Sequence, residues 1–358
     1  MFKNILISLV GKDKLGKKRN QGGEKMVRKI SVISAFMLIF SFFCTGMVAA
    51  KTLKMGAVTG AEANISKAAE HFIKLVEERT NGSVTIKYFP GSMLGKGATQ
   101  LESLRMGELD FFVGGVGWFS QLVGEFNLWA TAFVLKSYNH GKAAMEGEPG
   151  KIAQGKLLNQ YKIRMLDGAW YRAPRQVFST KKAGPIRSIN DLKGVIMRTV
   201  PLDAFAIPWG ETPATTTSIP YSELYMALQQ GVAEAFEGPI DLTIHNKMHE
   251  PCMYVSLTSH QFETAGIVIS EMTYKKLTKE EQNIIKKAAV DTRPFIEELI
   301  KSDVEKQLAN LRKEGRMEII EDVDRDSFFK ALSDVPYQME AKGIWEKGLY
   351  DKVMKLDN

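Results

Sequence analysis

Two arginines set into apolar runs are the residues best placed to do chemistry. Arg198 lies in Val195-Ile-Met-Arg-Thr-Val200, bounded by Gly194 and Pro201. That β-branched composition between turn residues reads as a short strand. A guanidinium is always charged and presents a planar fork of donors that meets a carboxylate two bonds at a time. Setting one into an apolar strand is costly unless an anion or an acid meets it. Arg175 follows Trp170, Tyr171 and Pro174 in a second strand-like run. For each arginine two partners are open: an Asp or Glu of the chain itself, or the carboxylate of a bound molecule.

The other candidates are weaker. His245 and His249 are four apart, with Glu250 adjacent, a spacing that could chelate a metal from one helix face. No third ligand is evident and the order is not His-Glu-x-x-His, so a surface pair and no metal are expected. Gly114, Gly115, Gly117 and Trp118 follow the strand-like Leu109-Asp-Phe-Phe-Val113. Glycines at the carboxyl end of a parallel strand are where open α/β sheets hold ligands; a tight turn without a ligand has the same composition. A dinucleotide fingerprint is discarded, because the following helix pattern and the ribose-binding acid are missing. No Ser/His/Asp or Cys/His constellation stands at a recognised spacing, and no loop is built to cradle phosphate. The expectation is a binding protein with no cofactor, not an enzyme.

The net charge of +7 belongs to the N-terminus. Residues 1–50 hold nine of the 48 Lys/Arg and two of the 41 Asp/Glu, which leaves 39 of each in residues 51–358. A neutral body does not suggest a nucleic-acid partner or an anionic membrane surface. Met26-Val-Arg-Lys29 opens a basic segment, Ile30 to Phe43 is apolar apart from Ser31, Ser34 and Ser41, and Val48-Ala-Ala50 supplies small residues. Together these read as a secretory signal peptide over 26–50, cleaved after Ala50. Residues 1–25 form a polar, basic leader ahead of an already complete signal. Gly22-Gly-Glu-Lys25 would be encoded by a purine-rich, ribosome-binding-like run, so translation is expected to start at Met26. Only Cys252 remains beyond the signal, so no intrachain disulfide is expected there.

The elements that must position the arginines alternate strand and helix, which argues an α/β architecture. Strands are expected at Leu53–Val58, Val84–Phe89, Leu109–Val113 and Lys162–Leu166, with helices at Ile65–Thr80, Thr99–Gly107 and Ala143–Tyr161, the last interrupted near Pro149. Thr278 and Glu281 form a capping box. The helix it opens should run to Gly315, kinked at Pro294.

Around Arg198 the chain reads Asp191-Leu-Lys-Gly194, then Tyr221-Ser-Glu-Leu-Tyr-Met-Ala-Leu-Gln-Gln-Gly231, then Val232-Ala-Glu-Ala-Phe-Glu-Gly-Pro239. In these blocks the sequence resembles the extracytoplasmic solute-binding proteins of tripartite ATP-independent periplasmic (TRAP) transporters, the DctP-like family, from about Lys51 to the C-terminus. Leu94-Gly95 and Gly107-Glu-Leu-Asp110 fall at matching places. Two departures stand out: Gly238 replaces the family's asparagine, and Thr199 is an extra residue before Val200-Pro201.

The resemblance implies a two-lobed periplasmic solute-binding protein, type II-like, with hinge strands and a long lobe-spanning helix closing like a flytrap. It assigns 51–172 to a first lobe, 173–261 to a second, 262–300 to a return to the first lobe and the long helix, and 301–358 to a C-terminal helical part packed on the second lobe and hinge. It makes Arg198 the main carboxylate anchor and Arg175 a second arginine from the other side. Glu237 and Gly238 fall on the matching strand. Trp118, Trp170, Tyr171, Trp209 and Phe236, with Gly115, are candidate walls of the site, each aromatic also suiting the core. The implied ligand is a small organic acid. The implied partners are a four-helix and a twelve-helix membrane subunit, and the mature protein would be a soluble periplasmic monomer. An ABC importer, a sensor system, or an enzyme on the same two-lobed fold are the competing readings.

Overall fold

The computed structural model describes residues 50–356. The expected leader, start site and signal peptide therefore lie outside the described residues.

Each described half of the chain is built on its own mixed sheet. The first contains β1 (Lys51–Gly56), β2 (Val84–Phe89), β3 (Phe111–Gly115), β4 (Ile163–Trp170) and β10 (Ala265–Ser270), in the order β2-β1-β3-β10-β4. The second contains β5 (Arg175–Ser179), β6 (Ile196–Thr199), β7 (Thr215–Ser218), β8 (Ala235–Pro239), β9 (Tyr254–Gln261) and β11 (Glu318–Ile320), in the order β11-β9-β5-β8-β6-β7. The chain crosses between them at 171–174 and at 262–264, and β10 returns antiparallel between β3 and β4.

The period-two rule explains how the first sheet carries two cores. In β3, Phe111 and Val113 pack with Phe72 and Val76 of the Asn64–Arg79 helix, while Phe112 turns to the opposite face with Phe119, Phe126 and Trp129. A strand covered on both sides reads as a continuous apolar run, as Phe111–Val113 does.

The long helical run is two helices. Lys279–Asp291 starts on the expected capping box, Thr278 accepting from the Glu281 backbone N–H at 3.2 Å, and ends at Thr292. A second helix spans Arg293–Glu314 and stops at Gly315, whose φ of 63° suits a residue without a side chain. Pro294 sits in its first turn, where the missing N–H costs nothing; the proline starts a helix and does not kink one. Ile296 and Ile300 of this helix pack in the first lobe and Leu311 in the second. It therefore joins both over about 33 Å, at 1.5 Å per residue.

The C-terminal part departs from expectation. Phe328 of the Arg325–Leu332 helix does pack in the second lobe, against Val177 and Met197. The helices Val335–Ala341 and Leu349–Met354 instead bury Val335, Met339, Leu349 and Val353 against Phe119, Phe126 and Trp129 of the first. Short apolar helices can satisfy either lobe's core, and only tertiary packing decides which.

Candidate functional site

Where the two sheets face each other, a cleft of about 940 Å³, its mouth included, is lined from both sides. The carboxyl end of β3 contributes Val113, Gly114 and Gly115, followed by Trp118. The second sheet contributes Arg175, Arg198, Phe236, Glu237 and Gly238, and the crossings contribute Arg172 and Glu263.

Strand register sets the arginines around Glu237. Arg198 on β6 stands beside Phe236 on β8, and Arg175 on β5 stands beside Pro239, so the two flank β8 from opposite sides. Their partners differ. The Arg175 fork is closed on Glu237: Nε and Nη2 both donate to the carboxylate, the latter at 2.7 Å, and Nη2 also donates to the Glu237 carbonyl at 3.1 Å. Phe205 lies under the guanidinium, 4.9 Å away. Burial alone would push the Glu237 carboxyl up, but Arg175 and His260 outweigh it and hold the group well below the usual carboxylate range. His260 Nε2 lies 3.4 Å from that carboxylate and Nδ1 2.8 Å from the Thr258 hydroxyl. A neutral ring donating to Glu237 and accepting from Thr258 satisfies both contacts, and burial does lower the His260 pKa from 6.5.

Arg198 has no such acid. Only 1% of the residue is exposed; Nε donates to the Ile219 carbonyl at 2.8 Å, and Nη2 has no hydrogen-bond partner. Among the described residues it forms no salt bridge within 4.0 Å. Desolvation pulls its pKa down to about 10, Glu237 opposing and Arg175 adding to the effect, so the group is still charged at neutral pH. The alternatives left open by the sequence thus separate: Arg175 is met by an acid of the chain, and Arg198 is not.

A second, partly buried ion pair joins the two crossings. Arg172, between β4 and β5, is bonded to Glu263, between β9 and β10. Glu263 Oε1 accepts from the Gly117 backbone at 2.9 Å, and Arg175 Nη1 lies 3.8 Å from Oε2. Gly115 and Gly117 make room for this pair. A Cβ on Gly115 would overlap the Arg172 guanidinium and the Glu263 carboxylate, and one on Gly117 would lie 2.8 Å from Glu263 Oε1. Gly238 also lines the cleft; a Cβ there would stand 3.0 Å from the Thr243 hydroxyl.

The rest of the lining is polar at one end. Asn64, at the start of its helix in the first lobe, donates through Nδ2 to Asp241 Oδ2 of the second at 3.3 Å and to Asp303 Oδ2 at 2.8 Å. Asn64 Oδ1 and Asp241 Oδ1 are buried without a partner, as is the Tyr221 hydroxyl. Burial pushes the Asp241 carboxyl up, the Leu242 N–H and the Arg172 charge opposing it.

Of the candidates from sequence, Arg198, Arg175, Glu237, Gly238, Phe236, Trp118 and Gly115 come together on the cleft. Trp170 does not: it is buried in the first lobe and its indole N–H donates to the Ala289 carbonyl at 2.8 Å. Trp209 is buried in the second lobe, edge-on to His260. Tyr171 packs edge-on against Tyr138 under Lys301, away from the lining. An aromatic next to a crossing has the same local pattern whether it faces core or cleft. His245 and His249 do not share a helix face, since the Ile240–His245 helix ends at the first of them, and His245 Nε2 instead meets Asp303 at 2.7 Å. The sequence reading missed Asn64, Arg172, Phe205, Tyr221, Asp241 and Glu263. Arg172 had a signal, a charge inside the expected crossing; the others carry none.

Comparison with known proteins adds three findings. Residues 55–342 match the model of a family described as bacterial extracellular solute-binding protein, family 7. The 2,3-diketo-L-gulonate-binding periplasmic protein YiaO of Escherichia coli is 27% identical over 86% of this chain and 93% of its own, and the sialic acid-binding periplasmic protein SiaP of Vibrio cholerae is 26% identical over 75% and 82%. Two solved TRAP periplasmic solute-binding proteins superpose with a TM-score of 0.78 at 25% identity: one from Sulfitobacter with bound β-D-galacturonate, covering 85% of this chain and 98% of that one, and one from Sulfurospirillum deleyianum with bound succinate, covering 86% and 99%.

Proposed function

Since the chain belongs to family 7 of the bacterial extracellular solute-binding proteins, we propose that it captures a small organic acid between its lobes and hands it to a TRAP-type membrane permease. The observation that carries this reading is the Arg198 guanidinium, buried in the cleft with one nitrogen unbonded and no acid of the chain to neutralise it. A carboxylate supplies the charge and the two acceptors that fork is shaped for. Closing the lobes over it removes water and strengthens the attraction. Galacturonate and succinate, bound by two similar proteins, both present such a group.

The proposal includes delivery to the small and large TRAP membrane subunits and residence in the periplasm after removal of residues 26–50; family membership and the basic-then-apolar N-terminus support it. Among the described residues, no helix is long and apolar enough to cross a membrane. Binding without turnover is part of the proposal: Glu237 and Glu263 are held in ion pairs with Arg175 and Arg172, and Asp241 is hydrogen-bonded to Asn64.

A thermal-shift screen over carboxylate metabolites tests the reading. At least one acid should raise the melting temperature progressively, with the logarithm of its concentration once that exceeds Kd, as mass action requires of a ligand that binds only the folded state. Turnover of a bound acid, or stabilisation only by uncharged solutes, would contradict it.

A further inference from the structure

Four buried polar atoms on the cleft lining lack a partner, and they fall into two chemical kinds. Arg198 Nη2 is a donor, with the Tyr221 hydroxyl buried and unpartnered like it; Asn64 Oδ1 and Asp241 Oδ1 are acceptors. The acceptors are neighbours, tied by the 3.3 Å bond from Asn64 Nδ2 to the other Asp241 oxygen. Because that amide nitrogen already serves Asp241 and Asp303, the orientation of Asn64 is fixed and its oxygen is the free atom. Both residues are more than nine-tenths buried, Asn64 at 1% and Asp241 at 5% exposed. One comes from each lobe, so the acceptor pair is assembled only where the lobes meet.

A buried acceptor left without a donor keeps the cost of its desolvation, so a ligand that brings donors recovers that cost. A second carboxylate placed there would bring only more acceptors, beside a carboxylate. The remaining cations offer it no refuge, since Arg172 is bonded to Glu263 and Arg175 to Glu237. Resting on the carboxylate reading above, we infer that the ligand is a monocarboxylate whose other end carries hydrogen-bond donors, hydroxyl or ammonium, and that Asn64 and Asp241 select it against dicarboxylates. Likeness to known structures does not make this choice, because the galacturonate-bound and succinate-bound proteins are equally similar to this chain.

The test is a calorimetric titration of the purified protein with two matched series. The first is butyrate, succinate, D-erythronate and 4-aminobutyrate; the second is hexanoate, adipate, D-galacturonate and 6-aminohexanoate. In at least one series a donor-bearing acid should bind about tenfold or more tighter than both the plain acid and the dicarboxylate, tenfold being about 1.4 kcal/mol. Whether the hydroxylated or the amino member wins identifies the donor. In Asp241→Ala, and in the shape-preserving Asp241→Asn, that preference ratio should collapse toward unity.

Equal or tighter binding of succinate or adipate, abolished by Arg198→Ala, would overturn the inference and leave the carboxylate reading standing. A ratio unchanged in both Asp241 variants, all affinities falling together, would reduce Asp241 to a structural role and also overturn it. If no acid of either series binds in a way that depends on Arg198, both readings fall.

Discussion

At the scale of single residues, two arginines a strand apart differ in what meets their charge. Arg175 has its carboxylate built in, whereas Arg198 has a backbone carbonyl and an unbonded nitrogen. Truncating one partner of a buried, hydrogen-bonded charge pair costs about 2–5 kcal/mol. Arg198→Ala is therefore expected to abolish detectable ligand binding, and Arg198→Lys to weaken it at least about tenfold, because an ammonium keeps the charge and loses the fork. Calorimetry on both variants checks this, and a lysine variant that binds as tightly as the parent would refute the bidentate geometry. Arg198 was legible in the sequence because a charge inside a β-branched run is conspicuous. Asp241, Asn64 and Tyr221 were not, since polar residues beside turns and helix starts look solvated until the second lobe covers them.

Elements decide whether these side chains can coexist. Gly115 ends β3 and Gly117 follows it, both without side chains, and the Arg172–Glu263 pair that joins the two crossings occupies the space. Gly115→Ala should drive a methyl into that pair and destabilise the protein by about 1–3 kcal/mol, the usual cost of overpacking. It should also weaken ligand binding. Gly155→Ala is the contrast: it lies in the Glu148–Tyr161 helix and a Cβ there meets nothing within 4 Å. Ala should stabilise the helix there by about 0.5–1 kcal/mol. Melting curves that move both variants in the same direction would contradict this reading of the glycines. Most strands and helices were legible from periodicity and caps. The break at Thr292 was not, because a proline in a first turn and a proline in mid-helix look alike until the first helix's end is seen.

Across the whole molecule, two sheets and one bridging helix form a clamp whose halves meet beside the cleft, where Ala130 of the first packs with Leu202, Ala204 and Phe205 of the second. Asn64 reaches Asp241 as described, the Ala204 backbone N–H donates to Asn127 at 3.0 Å, and Lys96 pairs with Glu223 at 2.8 Å. An α/β architecture was legible from the strand–helix alternation, and its two lobes from the family likeness. The packing of the last two helices on the first lobe was not, since it depends on which core has room. Burial lowers the pKa of His71, His249 and His260 from 6.5. The unfolded chain then binds more protons than the fold once pH drops below that value, and stability falls with it. Asp167 and Asp241, raised from 3.8 by burial, act in the opposite sense toward lower pH. The melting temperature should thus decline from about pH 7.5 to about pH 6, and a flat or rising profile would contradict the neutral burial of these rings.

The central claim is that the charge at position 198 is neutralised by the ligand and by nothing else in the chain. A crystal structure of the protein with the tightest-binding acid from the screen tests it most directly. Two nitrogens of Arg198 should contact one carboxylate at about 2.7–2.9 Å, with Arg175 still closed on Glu237. An acid bound elsewhere in the cleft, or Arg198 paired with a side chain of the protein while the acid is in place, would contradict it.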